Sequence, residues 1–429
     1  MRRPDRYTLL RRGKVAAGVA LLFAVCSSLM APIIGLQVHR NTPLSVIDEV
    51  TYTDYLFKVG HGHFIIGNGE KLGGEALRQR ACRGISIGLL APKPSACKQP
   101  LPRPAGRNTA DIDPPTYYVL TYGVARVLQR LGVTHDLVTA GRLAGAVWAG
   151  SALTTVVLLC RFLLVSRGAA VVAAAAAGLT SGLVSQWQYL TPHATDLTVG
   201  GLVTLAVLAW ERGRVQSWAL LLAGAVPPLV KASQVEIALA VALYLLIGAF
   251  WRPAGPARVD RRRLLGGLAV LVALALSSVT WLQIRNHYAL THAVAFPFFD
   301  VRSFQPHFVL DNVGRFLLPW SDHLAPGLAA LVVVWCYGVA AHTTTAPDAD
   351  PALRRLSLAV LAAGAFGAVL LVASNYVLLQ QYYLIPERYG FALVPAALAL
   401  GATALRSRVA VATGSAVCAL LLTSLTINR

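Results

Sequence analysis

Apolar residues in this chain come in runs of membrane length, separated by short polar segments, with one long interruption near the start. The first run, Val15–Leu36, covers 22 residues. At 1.5 Å per residue it is long enough to cross a hydrocarbon core of about 30 Å. It exceeds the usual apolar segment of a secretory signal, and no small-x-small cleavage site stands after it, so it reads as an uncleaved first span. Further runs predict spans near 138–160, 168–187, 194–210, 215–231, 233–251, 264–283, 324–341, 356–375, 389–405 and 408–427. The pattern therefore predicts an all-α polytopic membrane protein of about 11 helices, a single membrane domain over residues 1–429. No internal repeat relates its halves, which counts against inverted-repeat transporters.

The interruption, residues 37–137, forms an external loop inserted between the first and second spans. Within it, Pro114–Leu131 is apolar but short, and it carries Arg126, Gln129 and Arg130. Tyr118, Val119, Tyr122 and Ala125 recur at three- and four-residue spacing, as in a helix lying in the membrane interface. Counting this stretch as a span would invert every later loop.

Composition agrees with the pattern. Hydrophobic residues make up 56% and charged residues 13%, against about 25% charged in soluble domains. Mean hydropathy is +0.59. A soluble domain of this length could not bury so much apolar surface. The net charge of +19 is explained by orientation rather than by nucleic acid, which is not expected as a partner. Nineteen basic residues fall at cytoplasmic ends: six in residues 1–14, then Arg161, Arg167, Arg212, Arg214, Arg252, Arg258, Arg261, Arg262, Arg263, Arg354, Arg355, Arg406 and Arg408. Six fall in short external segments: Lys231, Arg285, Arg302, Arg315, Arg388 and Arg429. The bias places the N-terminus in the cytoplasm and the C-terminus outside. Abundant Arg, Ala and Val suggest a bacterial plasma membrane.

Cys26, Cys160, Cys336 and Cys418 lie in apolar runs and read as packing residues. Cys82 and Cys97 lie in the external loop, where they can close a disulfide; two free thiols are the alternative. No Cys or His spacing suggests a metal site, and no cofactor is assigned.

Five clusters carry possible chemistry. Asp48 and Glu49 follow the first span, as a general base near the membrane or as acids opening a helix. Asp111-Ile112-Asp113-Pro114-Pro115-Thr116-Tyr117-Tyr118 offers a rigid, aromatic entry into the interfacial helix. His193 and Asp196 are ionisable residues at the outer end of a span. Lys231 follows Pro227-Pro228, free to meet a phosphate or to pair with Glu236. Arg388 and Tyr389 open a late span from outside, against the charge rule, and an Arg fork suits phosphate. Residues 286–323, rich in His and aromatics, suggest part of an acceptor cleft.

Three of these clusters, in order, resemble elements of the C-type, polyprenyl-phosphate-sugar-dependent membrane glycosyltransferases: Asp48-Glu49 after the first span, Pro114-Pro115-Thr116-Tyr117-Tyr118 before the second, and Arg388-Tyr389 followed by Pro395. The closest similarity is to a family of bacterial multi-span proteins with Asp-Glu, Pro-Pro-x-Tyr-Tyr and Arg-Tyr elements. The chain departs from that pattern at Val50 and Tyr52 and in the segment holding Cys82 and Cys97. The resemblance implies a GT-C-like fold with interfacial helices in the first external loop. It implies sugar transfer from a polyprenyl-phosphate carrier to a hydroxyl of a glycan, lipid or protein outside the membrane, with inversion. Asp48 would then be the base, with Glu49 supporting it. Arg388 and Lys231 would hold the donor phosphate. Tyr52, Tyr117, Tyr118, His193, Asp196 and Tyr389 would contact substrate. Two other classes fit the sequence: a transporter or flippase using Asp196, Lys231 and Glu236 as a charge path, and a non-catalytic envelope-assembly protein.

Overall fold

A computed structural model describes residues 6–46, 48–86, 97, 106–251, 259–291, 310–311, 313–314, 326–346, 348–379 and 387–427. These residues are predominantly helical. Among the described residues, eight helical segments are long and apolar enough to cross a membrane: Gly13–Arg40, Leu137–Phe162, Pro192–Glu211, Ala232–Phe250, Arg261–His287, Leu328–Thr345, Pro351–Ala373 and Arg408–Ile427. A bent pair, Arg167–Leu179 with Ser181–Gln188, makes up to nine.

The outer surface of the bundle is itself apolar. Along the helix Arg261–His287, the exposed residues Leu265, Leu268, Val272, Leu276, Val279 and Leu282 recur every three or four positions. Water would penalise such a stripe at about 25 cal/mol per Å², whereas lipid does not. The opposite stripe, with Val270, Ala273, Leu274, Ser277 and Trp281, is buried. The molecule is thus a multi-pass membrane protein, apolar both within and around its girth.

In chain order the helices are α1 (Arg6–Arg40), α2 (Glu49–Gly60), α3 (Gly74–Arg83), α4 (Thr116–Arg130), α5 (Leu137–Leu143), α6 (Gly145–Phe162), α7 (Arg167–Leu179), α8 (Ser181–Gln188), α9 (Asp196–Glu211), α10 (Trp218–Val230), α11 (Val235–Phe250), α12 (Arg261–His287), α13 (Pro326–Thr345), α14 (Pro351–Leu379), α15 (Val394–Thr403) and α16 (Arg408–Ile427). Three stretches read as continuous spans differ from that expectation; the first, 215–231, holds only the 13-residue α10, shorter than the membrane-length segments. The 168–187 run bends by 61° between α7 and α8, where Thr180 is extended and its hydroxyl turns back onto the Ala176 carbonyl. The 389–405 run begins as a 3-10 helix, Glu387–Leu393, and becomes α-helical only at Val394, with Pro395 in its first turn.

Charged residues separate to the two ends of the bundle. At one pole, Glu211 at the end of α9 accepts from Arg263 at 2.8 Å and from Arg355 at 2.7 Å, the first turns of α12 and α14. Tyr244 on α11 also donates to it. At the other pole lie the start of α9, the ends of α10 and α12, the start of α11, and the described residues between 41 and 136. Three ties fix that attachment. Thr116 Oγ1 donates to the Leu229 carbonyl at 2.6 Å, Trp281 Nε1 to the Ile112 carbonyl at 2.8 Å, and Arg285 to Asp111 at 2.6 Å.

The described residues between 41 and 136 have a core of their own. α2 packs on α3 and α4. Tyr55 stacks on Tyr118, with ring centroids 3.9 Å apart. Asp54 is buried but satisfied by Lys58, the Gly73 N–H and Asn108. α4 turns Tyr117, Tyr118, Thr121 and Ala125 inward and leaves Val119, Leu120 and Val127 exposed. It is not among the segments long and apolar enough to span. A two-residue parallel ladder joins Leu44–Ser45 to Ile85–Ser86, and Cys82 at the end of α3 is bonded to Cys97. Closing a loop of this length removes about 3 kcal/mol of unfolded-chain entropy. Arg83 beside it binds Asp136 and Thr139, tying α3 to the start of α5.

Candidate functional site

Asp48 precedes α2 and has φ 58°, ψ 0°, the left-handed region. An Asp residue there costs about 1–3 kcal/mol, which the surrounding contacts must offset. It occupies the N-cap position, but its carboxylate makes no capping bond. The helix-opening role is therefore carried by its backbone carbonyl, which accepts from Thr51 and Tyr52. The carboxylate is 45% exposed and accepts from Arg388 Nη2 at 3.3 Å. The two residues are 340 positions apart in sequence.

Arg388 reaches this point because its 3-10 helix lies directly against α9. At Gly200 an added Cβ would stand 1.9 Å from the Ala392 carbonyl oxygen, so only glycine allows the approach. Gly200→Ala is expected to push the 3-10 helix off α9 and to cost about 1–3 kcal/mol, as overpacking typically does. Thermal unfolding in detergent measures this.

Behind Arg388 runs a buried row. Its Nε donates to His193 Nε2 at 2.8 Å, His193 Nδ1 meets Asp196 Oδ2 at 2.7 Å, and Asp196 Oδ1 accepts from Gln234 at 2.7 Å. His193 and Asp196 are each 1% exposed. The resemblance implies substrate contact for both; both are buried, and His193 lies against Arg388. Beside them Lys231, at the extended C-cap of α10, faces Asp113 at 3.4 Å. Its partner is thus Asp113 rather than Glu236, whose Oε2 is buried without a hydrogen bond. Tyr389 holds the group together: Lys231 Nζ is 5.6 Å and Arg388 Cζ 5.8 Å from its ring centre, and His193 is edge-on at 5.4 Å. Such cation–ring contacts contribute about 0.5–2 kcal/mol each.

Tyr52 lies one turn into α2 and is almost fully buried. Burial raises its phenol well above the ordinary value, the Asp48 and Asp113 carboxylates raise it further, and Arg388 opposes them. Its hydroxyl therefore keeps its proton.

No family model matches the chain, and no curated protein or solved structure is significantly similar to it.

The remaining sequence candidates have structural positions. Glu49 is fully buried and wholly committed: Arg142 Nε and Nη2 hold its two oxygens at 2.8 and 2.7 Å, and the N–H groups of Leu190 and Ser45 complete it at 2.9 and 2.6 Å. It anchors the start of α2, and with it Asp48, to α5. Tyr117 accepts from the Thr191 N–H at 3.1 Å inside the same core. Tyr118 is packed between Tyr52, Tyr55 and Tyr117. Both are 0–1% exposed. Three partners went unassigned in the sequence: Arg142, Asp113 and Gln234. Arg142 had a signal, being a cation inside a predicted span, which demands a partner. Residues 292–309, 312 and 315–323, which make up most of the suggested acceptor segment, lie outside the described residues, as do residues 380–386 just before Arg388. Among the described residues no three His, Cys, Asp or Glu side chains converge as metal ligands.

Proposed function

We propose that this protein transfers a sugar from a polyprenyl-phosphate carrier to an acceptor hydroxyl at the external face of a bacterial plasma membrane, as a GT-C-like glycosyltransferase. The observation that carries this reading is the meeting of a partly exposed carboxylate, Asp48, with a guanidinium, Arg388, at the loop-bearing pole of the bundle. A lipid-linked donor presents its phosphate at the depth of a bundle pole, and that is where the buried Lys231 and the half-buried Arg388 are gathered.

In the reaction, the acceptor O–H gives its proton to Asp48. The oxygen forms a bond to the anomeric carbon as the bond from that carbon to the phosphate oxygen breaks, with positive charge developing on the sugar ring. The electron pair leaves on the lipid phosphate, which Arg388 and Lys231 stabilise where the charge develops. Attack opposite the leaving group inverts the anomeric centre. Tyr52, beside Asp48 and Arg388, offers its protonated hydroxyl as a donor, and Glu49 fixes Asp48 through the backbone. In this topology α10 and the 3-10 helix with α15 complete eleven crossings. The N-terminus is cytoplasmic, residues 37–137 are external, and α4 lies in the interface.

A transport path would need charges distributed along the bundle. Asp196, Lys231 and Glu236 instead cluster at one pole, on the first turns or caps of α9, α10 and α11, which favours the transferase. The test is transfer of radiolabel from polyprenyl-phosphate sugars by the purified protein. Arg388→Ala is expected to raise the donor KM and lower kcat, together about 10²- to 10³-fold in kcat/KM, the usual scale for losing one charge-stabilising donor. Unchanged donor use in a folded Arg388→Ala protein would argue against the phosphate role.

A further inference from the structure

The two ring nitrogens of His193 face different partners. Arg388 Nε lies 2.8 Å from Nε2, and a guanidinium nitrogen only donates. Nε2 therefore presents its lone pair, and the single ring proton sits on Nδ1. Nδ1–H donates to Asp196 Oδ2 at 2.7 Å. The other Asp196 oxygen accepts from Gln234 Nε2 at 2.7 Å, and the same amide donates to Thr195 Oγ1 at 2.9 Å. Gln234, Thr195, Asp196 and His193 are each no more than 1% exposed. Read from Arg388, the donors and acceptors leave only one arrangement: His193 neutral, with its less common tautomer held by a carboxylate.

The other edge of Arg388 is held differently. Its Nη2 reaches Asp48 at 3.3 Å, longer than an ordinary charge-assisted bond of 2.7–2.9 Å, and the carboxylate it meets is 45% exposed. One edge of the guanidinium is thus locked in the protein interior and the other loosely engaged at a reachable surface.

We propose that Gln234, Asp196 and His193 form a positioning relay that locks the Nε edge of Arg388, so that its Nη2 edge exchanges between Asp48 and an arriving phosphate oxygen. The proposal rests on the donor reading above. In the empty site Arg388 masks the base. A phosphate oxyanion competes for Nη2 without moving the guanidinium, because the relay keeps it in place. Asp48 then loses its partner and becomes the acceptor for the hydroxyl proton. A single side chain so couples arrival of the donor to release of the base. The relay residues touch no substrate and act only through Arg388.

Two measurements on the full-length protein in nanodiscs test this. The first is 15N NMR of histidine-labelled protein. His193 is expected as the Nδ1–H tautomer with a bare Nε2, and Arg388→Ala is expected to move the Nε2 resonance while leaving Nδ1–H bonded. An Nε2–H tautomer would overturn the relay. The second is a kinetic split. His193→Ala is expected to lower kcat by about 10²-fold, the usual cost of misplacing a catalytic group by an ångström. His193→Gln, whose amide oxygen accepts from Arg388 and whose amide nitrogen donates to Asp196, is expected to recover at least about tenfold. Equal kcat in folded His193→Ala and wild type would overturn the proposal, since a merely structural histidine changes yield and not turnover. If wild-type protein transfers no sugar, the functional reading fails, and the relay is still decided by the tautomer and by binding of a C55 polyprenyl monophosphate. His193→Ala is expected to weaken that binding about tenfold; unchanged binding, like the Nε2–H tautomer, would refute the relay alone.

Discussion

Asp48→Asn is expected to abolish transfer, by about 10²- to 10⁴-fold in kcat, while leaving the fold intact. The magnitude is that of one positioned proton transfer. The fold should survive because Asn adopts the left-handed conformation as readily as Asp, and the Asn amide oxygen still accepts from Arg388. The Asp48 carboxylate also caps nothing, so α2 loses no bond. Transfer of label from a polyprenyl-phosphate sugar, measured beside thermal unfolding in detergent, separates chemistry from stability. Wild-type turnover in this variant would remove Asp48 from the mechanism. Asp48→Gly offers a second check. Glycine pays no left-handed penalty, so this variant is expected to be more stable than wild type by up to about 1 kcal/mol and equally inactive. Stability gained as activity is lost is the pattern of a strained functional residue.

Arg142→Met is expected to be the most damaging single change to stability, costing about 3–5 kcal/mol. Both members of the Arg142–Glu49 pair are 0% exposed. Removing the cation leaves a carboxylate in the protein interior with only the Ser45 and Leu190 N–H groups. It also frees the carbonyls of Asn41 and Pro43, which Arg142 now satisfies at 2.5 and 2.7 Å. The loop from α1 into α2 should loosen, and with it the backbone strain at Asp48. Adding Glu49→Gln to Arg142→Met should recover part of the loss, because the uncompensated charge then disappears. A double-mutant cycle on unfolding midpoints measures the coupling. A single-variant cost below about 1 kcal/mol would show that the pair does not anchor the loop.

The membrane bundle was legible because its signal is local. A run of about 20 apolar residues has to be a span wherever its neighbours lie. The exposed stripe on α12 and the pole of Arg-rich helix starts are direct consequences of that sequence. The order of Asp48, the Pro114-Pro115 entry and Arg388 was also legible, since each is a short polar break at the edge of an apolar run. Less was visible where an element answers to a distant neighbour. Residues 387–393 have the composition of a helix start, yet they form a 3-10 turn pressed onto α9 at Gly200, a contact no local pattern encodes. Glu49 reads as reactive because it adjoins Asp48, and only the fold shows Arg142 closing around it.

The sequence by itself determined that the chain is a helical membrane protein with one large polar insertion, because transfer of apolar side chains out of water is additive along the chain. The tertiary structure alone decided which ionisable residues are paired and which are reachable. Hydrogen bonds and ion pairs depend on ångström distances between residues as far apart as Asp48 and Arg388, or His193 and Arg388. Those distances are fixed by helix packing rather than by spacing in the chain.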